Sequence, residues 1–324
     1  MKKSILIACL GLVSLGLQAQ SISLAGEWNV ELGKSGSAFA KSKHASQGEV
    51  KRAFLPGTID TNHLGFAPKD TMETTHLTRL YAYKGAARYS RTINIPKNWK
   101  KKSVELFLER TRPTWVYVDG ELVDSCNFIS TPQRYLLSKK VKPGKHLLEI
   151  VVDNGRGVPE QVYGSSHAYT EDTQTNWNGI IGRIELQLAS STDCKSTETL
   201  AGAISSRSVV PLAGAVHSSS VVSPSALQMP DFARDFHIEG AHFYANGHRI
   251  FLRGKHDAAV WPLTGHVEMS VEGWMKYLGI CKEYGINHVR FHSWCPPEAA
   301  FVAADSLGIY LQPELPFWGS FDKK

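Results

Sequence analysis

His256, Asp257, Arg290, His292, Glu314 and Trp318 recur late in the 324-residue chain, each close behind a short apolar run. Two imidazoles, a guanidinium, two carboxylates and an indole on one rim would suit a sugar, whose hydroxyls need donors and acceptors while its apolar face stacks on an aromatic ring. Trp294 adds a second indole. Taken singly, each residue reads as a loop hydrogen-bonder or a packing aromatic, and only the recurrence behind three successive runs lifts the group. Two carboxylates are also what glycoside hydrolysis requires, about 5–5.5 Å apart for retention of configuration and about 6.5–9.5 Å for inversion. Asp257 and Glu314 are candidates by position only.

Three strands must carry that rim. Residues 249–254 are the first expected strand, with His256 and Asp257 beyond its end. Ser270 then caps an expected helix in which Val271, Trp274, Met275, Leu278 and Cys281 share one face, and Gly285 ends it. A second strand over 286–291 leads to Arg290 and His292, Pro296-Pro297-Glu298 opens another helix, Gly308 closes it, and 309–312 form the third strand. The order β-α-β-α-β implies parallel neighbours, either an open α/β sheet or the start of a (β/α)8 barrel, whose active-site face lies at the C-terminal strand ends.

Residues 24–188 have a different texture. Alternating or apolar runs such as Ala87 to Ile95, Thr114 to Val118 and His146 to Val152 are separated by Asp119-Gly120, a hairpin dipeptide, and by Lys142-Pro143-Gly144-Lys145. This is the spacing of an antiparallel sandwich or jelly roll. Residues 190–230 lose their aromatics and become rich in Ser, Ala, Thr and Val, as a linker would.

With 42% hydrophobic and 20% charged residues the chain is globular, not disordered or fibrous. Met1-Lys2-Lys3, an apolar run over 5–17 and Leu17-Gln18-Ala19 follow the order of a secretory signal peptide, so residues 1–19 are expected to be removed and the protein to be periplasmic or secreted. A lipid anchor at Cys9 is disfavoured, because only the four residues 5–8 of the apolar run precede it and a leader needs about 7. The apolar run is too short to span a bilayer. Cys126, Cys194, Cys281 and Cys295 are too sparse for a disulfide framework and lack zinc spacing, so neither is expected. A charge of +6, partly from Lys2 and Lys3, does not imply nucleic acid, and the Lys97 to Lys102 and Lys139 to Lys145 clusters read as solvated turns.

Ordered motifs along the chain resemble the N-terminal portion of family 2 glycoside hydrolases, the group of β-galactosidases, β-glucuronidases and β-mannosidases. They include Leu24-Ala25-Gly26-Glu27-Trp28, Leu55-Pro56-Gly57-Thr58, Val116-Tyr117-Val118-Asp119-Gly120, Val151-Val152-Asp153-Asn154 and Asn176-Trp177-Asn178-Gly179. Phe243-Tyr244-Ala245-Asn246-Gly247, His288-Val289-Arg290-Phe291-His292 and Pro313-Glu314-Leu315-Pro316-Phe317-Trp318-Gly319 continue the set. The resemblance implies a jelly-roll, galactose-binding-like sandwich over 20–189, then the first three β/α units of a TIM barrel over 236–324. It places the Ser-rich stretch, 190–235, where the family has an immunoglobulin-like sandwich. It further implies an exported retaining glycosidase acting on β-linked carbohydrate, with His256, Asp257, Arg290, His292, Glu314 and Trp318 around the sugar. No cofactor or metal ligand is assigned, although the full-length family allows a divalent or monovalent cation. The family's acid/base and nucleophilic glutamates would fall beyond Lys324, which implies a truncated or internally deleted derivative without turnover of its own. The alternative is a non-catalytic, lectin-like carbohydrate-binding module.

Overall fold

The computed structural model describes residues 21–34, 49–68, 72, 74, 77, 79–137, 141–171, 175–189 and 235–319. The expected leader with Cys9, and residues 190–234 of the expected linker with Cys194, lie outside them. The described chain is mostly β-sheet with few helices.

Eleven strands form the first region: β1 (Ser21–Ser23), β2 (Gly26–Gly33), β3 (Val50–Leu55), β4 (Gly57–Thr58), β5 (Ala86–Ile95), β6 (Val104–Thr111), β7 (Thr114–Val118), β8 (Glu121–Cys126), β9 (Gln133–Leu136), β10 (Gly144–Asp153) and β11 (Gly179–Leu188). A short helix, α1 (Glu160–Ser165), sits between the last two. One sheet runs β3-β2-β5-β10-β7-β8; the other runs β1-β11-β6-β9, with β4 also on β11, and every pairing is antiparallel. Alternation drives the pairing: Tyr89, Ile93 and Ile95 of β5, Leu148, Ile150 and Val152 of β10, and Leu106 and Leu108 of β6 all enter one core with Trp28. Each such aliphatic side chain contributes at most about 1.5–3 kcal/mol by leaving water. Asp119 and Gly120, both at positive φ, join β7 to β8 in a two-residue turn, as the dipeptide predicts.

Three buried asparagines close one end of this sandwich. Asn154 accepts from the Gly85 amide (2.9 Å) and donates to the Tyr83 carbonyl (2.9 Å), Asn176 donates to the Asn154 carbonyl (2.8 Å), and Asn178 donates to the carbonyls of Gly85 and Val152 (2.9 Å each). Loop backbone that would otherwise be stranded in the interior is satisfied there.

The second region opens with an antiparallel meander, β12 (Phe236–Glu239), β13 (His242–Ala245) and β14 (His248–Ile250), the last two joined by Asn246-Gly247 at positive φ. Parallel strands β15 (Gly254–Asp257), β16 (His288–Phe291) and β17 (Tyr310–Gln312) follow, alternating with α2 (Val271–Glu283) and α3 (Glu298–Leu307). The expected strand over 249–254 is therefore corrected. Its first residues belong to the meander, and the parallel strand is displaced so that His256 and Asp257 lie inside it. The break falls at 251–253 because the Asn287 side chain satisfies that backbone, donating to the Phe251 carbonyl (3.0 Å) and accepting from the Arg253 amide (2.7 Å).

Both helices follow their sequence signals. The Ser270 hydroxyl accepts from the Gly273 amide (3.0 Å) to cap α2, Gly285 lies at φ +76 behind it, and Gly308 is the left-handed cap of α3. Ala299, Ala300, Ala303 and Ala304 are buried, and their small side chains let α3 approach its neighbours closely. The core between helices and sheet contains Trp274, Leu278, Phe291 and Trp294, but it also takes Ala168, Trp177 and Ile181 from the first region. Cys126, Cys281 and Cys295 are free thiols, and no helix among the described residues is long and apolar enough to cross a membrane.

Candidate functional site

Strand periodicity decides which residues reach the site. In register, His256 lies beside Arg290 and Arg290 beside Gln312, whereas Lys255 with Val289, and Asp257 with Phe291, take the opposite face. Val289 and Phe291 are buried in the helix-side core, so His256 and Arg290 are on the face the helices leave open.

His292 follows β16 and places its ring 4.9 Å from that of His256. A third imidazole comes from the first region. His167, on the segment behind α1, lies 4.6 Å from the His292 ring, and its Nε2 is 2.7 Å from His292 Nδ1, so one ring donates and the other accepts. Trp318 closes the side, its ring edge-on to His292 at 4.6 Å, with its backbone amide donating to the Ser165 hydroxyl (3.2 Å). Gly164, Ser165, His167, Thr170, Trp318 and Gly319 line a cleft of about 360 Å³ at this seam. A larger cleft, of about 490 Å³, also borders both regions, but it is lined by Pro56, Glu109, Met269 and their neighbours and holds none of the site residues read from the sequence.

Glu314 is fixed by two donors: Arg290 Nε reaches Oε1 (2.6 Å) and the Ser293 amide reaches Oε2 (2.8 Å). Burial pushes its carboxyl up, but the Ser293 amide, Arg290 and His292 outweigh it and hold the group below its ordinary value. For His292 the balance favours the neutral ring. Burial first, then Arg290 and His256, lower its pKa, with Glu314 opposing them. The site therefore offers a fixed anion, a guanidinium held at Nε by that anion, and imidazoles able to donate or accept.

Four of the six residues read from the sequence, His256, Arg290, His292 and Glu314, are brought together, and Trp318 joins them at the rim. Asp257 is not. It is buried on the helix side, where its carboxylate accepts from the Ala259 amide (2.9 Å), Lys255 Nζ (3.1 Å) and the Tyr277 hydroxyl. Trp294 also leaves the rim for the core, its ring edge-on to Phe291 and its Nε1 donating to the Asp257 carbonyl (3.1 Å). His167 and Ser293 escaped the sequence reading. His167 stands in a loop of the sandwich region without periodicity, and only the uncommon run Ser165-Ser166-His167 marks it. Among the described residues no group of three or more His, Cys, Asp or Glu side chains could hold a metal ion, and both oxygens of Glu314 are already engaged.

No family model matches the chain, and no curated protein matches it. Solved structures do. A Faecalibacterium prausnitzii β-glucuronidase aligns over 91% of this chain and 60% of its own, at 14% identity and a TM-score of 0.57. A β-glucuronidase from an uncultured Clostridium aligns over 92% and 59%, at 15% identity and 0.62. A family 2 β-galacturonidase from Eisenbergiella tayi aligns over 90% and 56%, at 16% identity and 0.56. The chain thus spans about three fifths of the length of the structures it matches. At such identities the likeness is one of fold: over about nine tenths of its length this chain folds as parts of these two β-glucuronidases and the β-galacturonidase do.

Proposed function

We propose that the chain is the N-terminal portion of an exported glycoside hydrolase of the β-galactosidase or β-glucuronidase type, and that the cleft at the seam binds the pyranose of a β-linked carbohydrate. In this reading residues 20–189 are a jelly-roll sugar-binding domain, and 236–324 are the first three β/α units of a (β/α)8 barrel. The leader expected at residues 1–19 would carry the protein to the periplasm or beyond. The observation that carries the reading is the His167, His256, His292 and Arg290 cluster beside Trp318. Hydroxyls or a uronate carboxylate would meet imidazole and guanidinium nitrogens while the ring face rests on the indole.

A uronic acid is favoured over a neutral sugar because Arg290 brings a guanidinium to the rim and the solved neighbours are glucuronidases and a galacturonidase. Neither Asp257 nor Glu314 is assigned as acid or nucleophile: the first faces the helices, and the second is ion-paired to Arg290. The 324-residue chain is expected to show negligible turnover of nitrophenyl β-glycosides. Histidine ring signals followed by NMR on adding D-glucuronate, then D-galactose, test the binding. Shifts confined to the three seam imidazoles at millimolar D-glucuronate are the expected result; no shift with either sugar overturns the reading.

A further inference from the structure

Ser293 makes three hydrogen bonds to the first region, and its backbone takes an unusual conformation. It lies at φ +51, in the left-handed region that a non-glycine residue adopts only where surrounding contacts fix it. It is also fully buried. Every polar group of the residue is used. Its amide holds Glu314, its carbonyl accepts from the Ser166 hydroxyl (3.0 Å), and its own hydroxyl donates to the Ser165 carbonyl (3.2 Å) while accepting from the His167 amide (3.0 Å). Two of these bonds grip the residues on either side of Ser166, and a third grips Ser166 itself. Two residues further on, Arg110 of β6 donates to the Cys295 carbonyl (2.8 Å), which anchors the same loop to the sandwich.

We infer that Ser293 is a positioning residue: through its hydroxyl it sets His167 of the first region against His292 of the second, and through its amide it sets Glu314 against Arg290. The left-handed turn is what allows this division. It points the amide toward the β17 end and leaves the hydroxyl and carbonyl facing the 165–167 segment. Without the hydroxyl, the His167 amide and Ser165 carbonyl lose their partner and the imidazole contact at 2.7 Å loses its anchor, while Glu314 keeps both donors. The inference rests on reading the cleft as a pyranose site, since only there does the spacing of the imidazoles bear on function.

Two variants of the full chain test it, Ser293→Ala and Ser293→Gly. Both lack the hydroxyl, but glycine accepts the left-handed backbone without cost, so a purely structural role predicts destabilisation in the alanine variant that the glycine variant relieves. A positioning role predicts the same loss in both, read from histidine ring signals against pH. His292 should titrate higher than in the unaltered chain by about half a pH unit or more, as its contact with His167 opens and water enters. A His292 titration unmoved in Ser293→Gly overturns the inference. D-Glucuronate binding by the unaltered chain is read separately, so failure of the sugar-site reading and failure of the positioning role are told apart.

Discussion

The sandwich and the parallel β/α region bury their apolar residues in different ways. Every member of the main sandwich core, from Leu24 to Leu186, belongs to the first region. The second region has no such independence: Ala168, Trp177 and Ile181 complete the core around Trp274 and Phe291. Trp177 is held in turn by Arg112, whose buried guanidinium lies between the rings of Tyr169 and Trp177, 4.4 and 4.1 Å from their centres. The difference teaches where the site can be. The imidazole cluster forms where the second region depends on the first, so anything that loosens the seam separates His167 from His256 and His292.

Tryptophan deletions give the largest test of that contrast. Trp28→Ala and Trp177→Ala should each cost about 3–5 kcal/mol, but at different places. The first removes a side chain from the self-contained core and should speed hydrogen exchange throughout the molecule. The second should free the α2 amides while those of β10 stay protected. Equal loss of protection in β10 and α2 on Trp177→Ala would break the comparison.

Arg112→Met probes the same seam from beneath. Its guanidinium donates to the backbone carbonyls of Ala168 (2.8 Å), Trp177 (3.1 Å) and Thr175 (3.3 Å), all neutral acceptors, and burial lowers its pKa to about 10, which leaves it charged at neutral pH. Methionine would spare the cost of burying a charge yet strand three carbonyls, so a net loss of about 2–3 kcal/mol is expected. Lysine, with donors but no plane to stack between the rings, should fall between the two in urea unfolding.

Much of this architecture is legible in the sequence, for local reasons. The β5 and β10 strands follow from alternation, the β7–β8 hairpin from Asp119-Gly120, and α2 from Ser270, an apolar stripe and Gly285. The rim residues of β16 and β17 follow because strand ends are local too. What escapes is long-range. Asp257 and His256 are adjacent in sequence and equally polar, yet strand parity sends one to the helices and the other to the open face, and parity depended on a strand start placed several residues too early. Asn246-Gly247 carries the signal that would have moved it, since a two-residue hairpin makes 248–250 part of the meander. His167 lies 125 residues before its partner, and no periodicity links the two.

Ser270→Ala sharpens the comparison more gently. The cap belongs to α2, because the hydroxyl accepts from the Gly273 amide in the first turn of that helix. About 1 kcal/mol should be lost. Hydrogen exchange in the first turn of α2 is the measurement, with the sandwich strands unchanged. A response spread to β10 would mean that the two regions unfold as one unit even when the seam is intact.

The smallest expected effect is a pH dependence confined to the seam. His292, faced by His167, His256, Arg290 and Glu314, has a folded pKa below its unfolded value of about 6.5, so as pH falls the unfolded chain takes up the proton first. Its contribution to stability is complete above that value and is lost on acidification toward the folded pKa. Glu314, also depressed in the fold, keeps its contribution until pH drops below the unfolded carboxyl value of about 4.3. The acid limb of the melting temperature should therefore have two steps, the imidazole step first. In His167→Phe the His292 ring loses its hydrogen-bond partner at 2.7 Å, so the first step should flatten while the carboxylate step stays. An unchanged first step would show that the imidazole contact across the seam adds nothing to holding the two regions together.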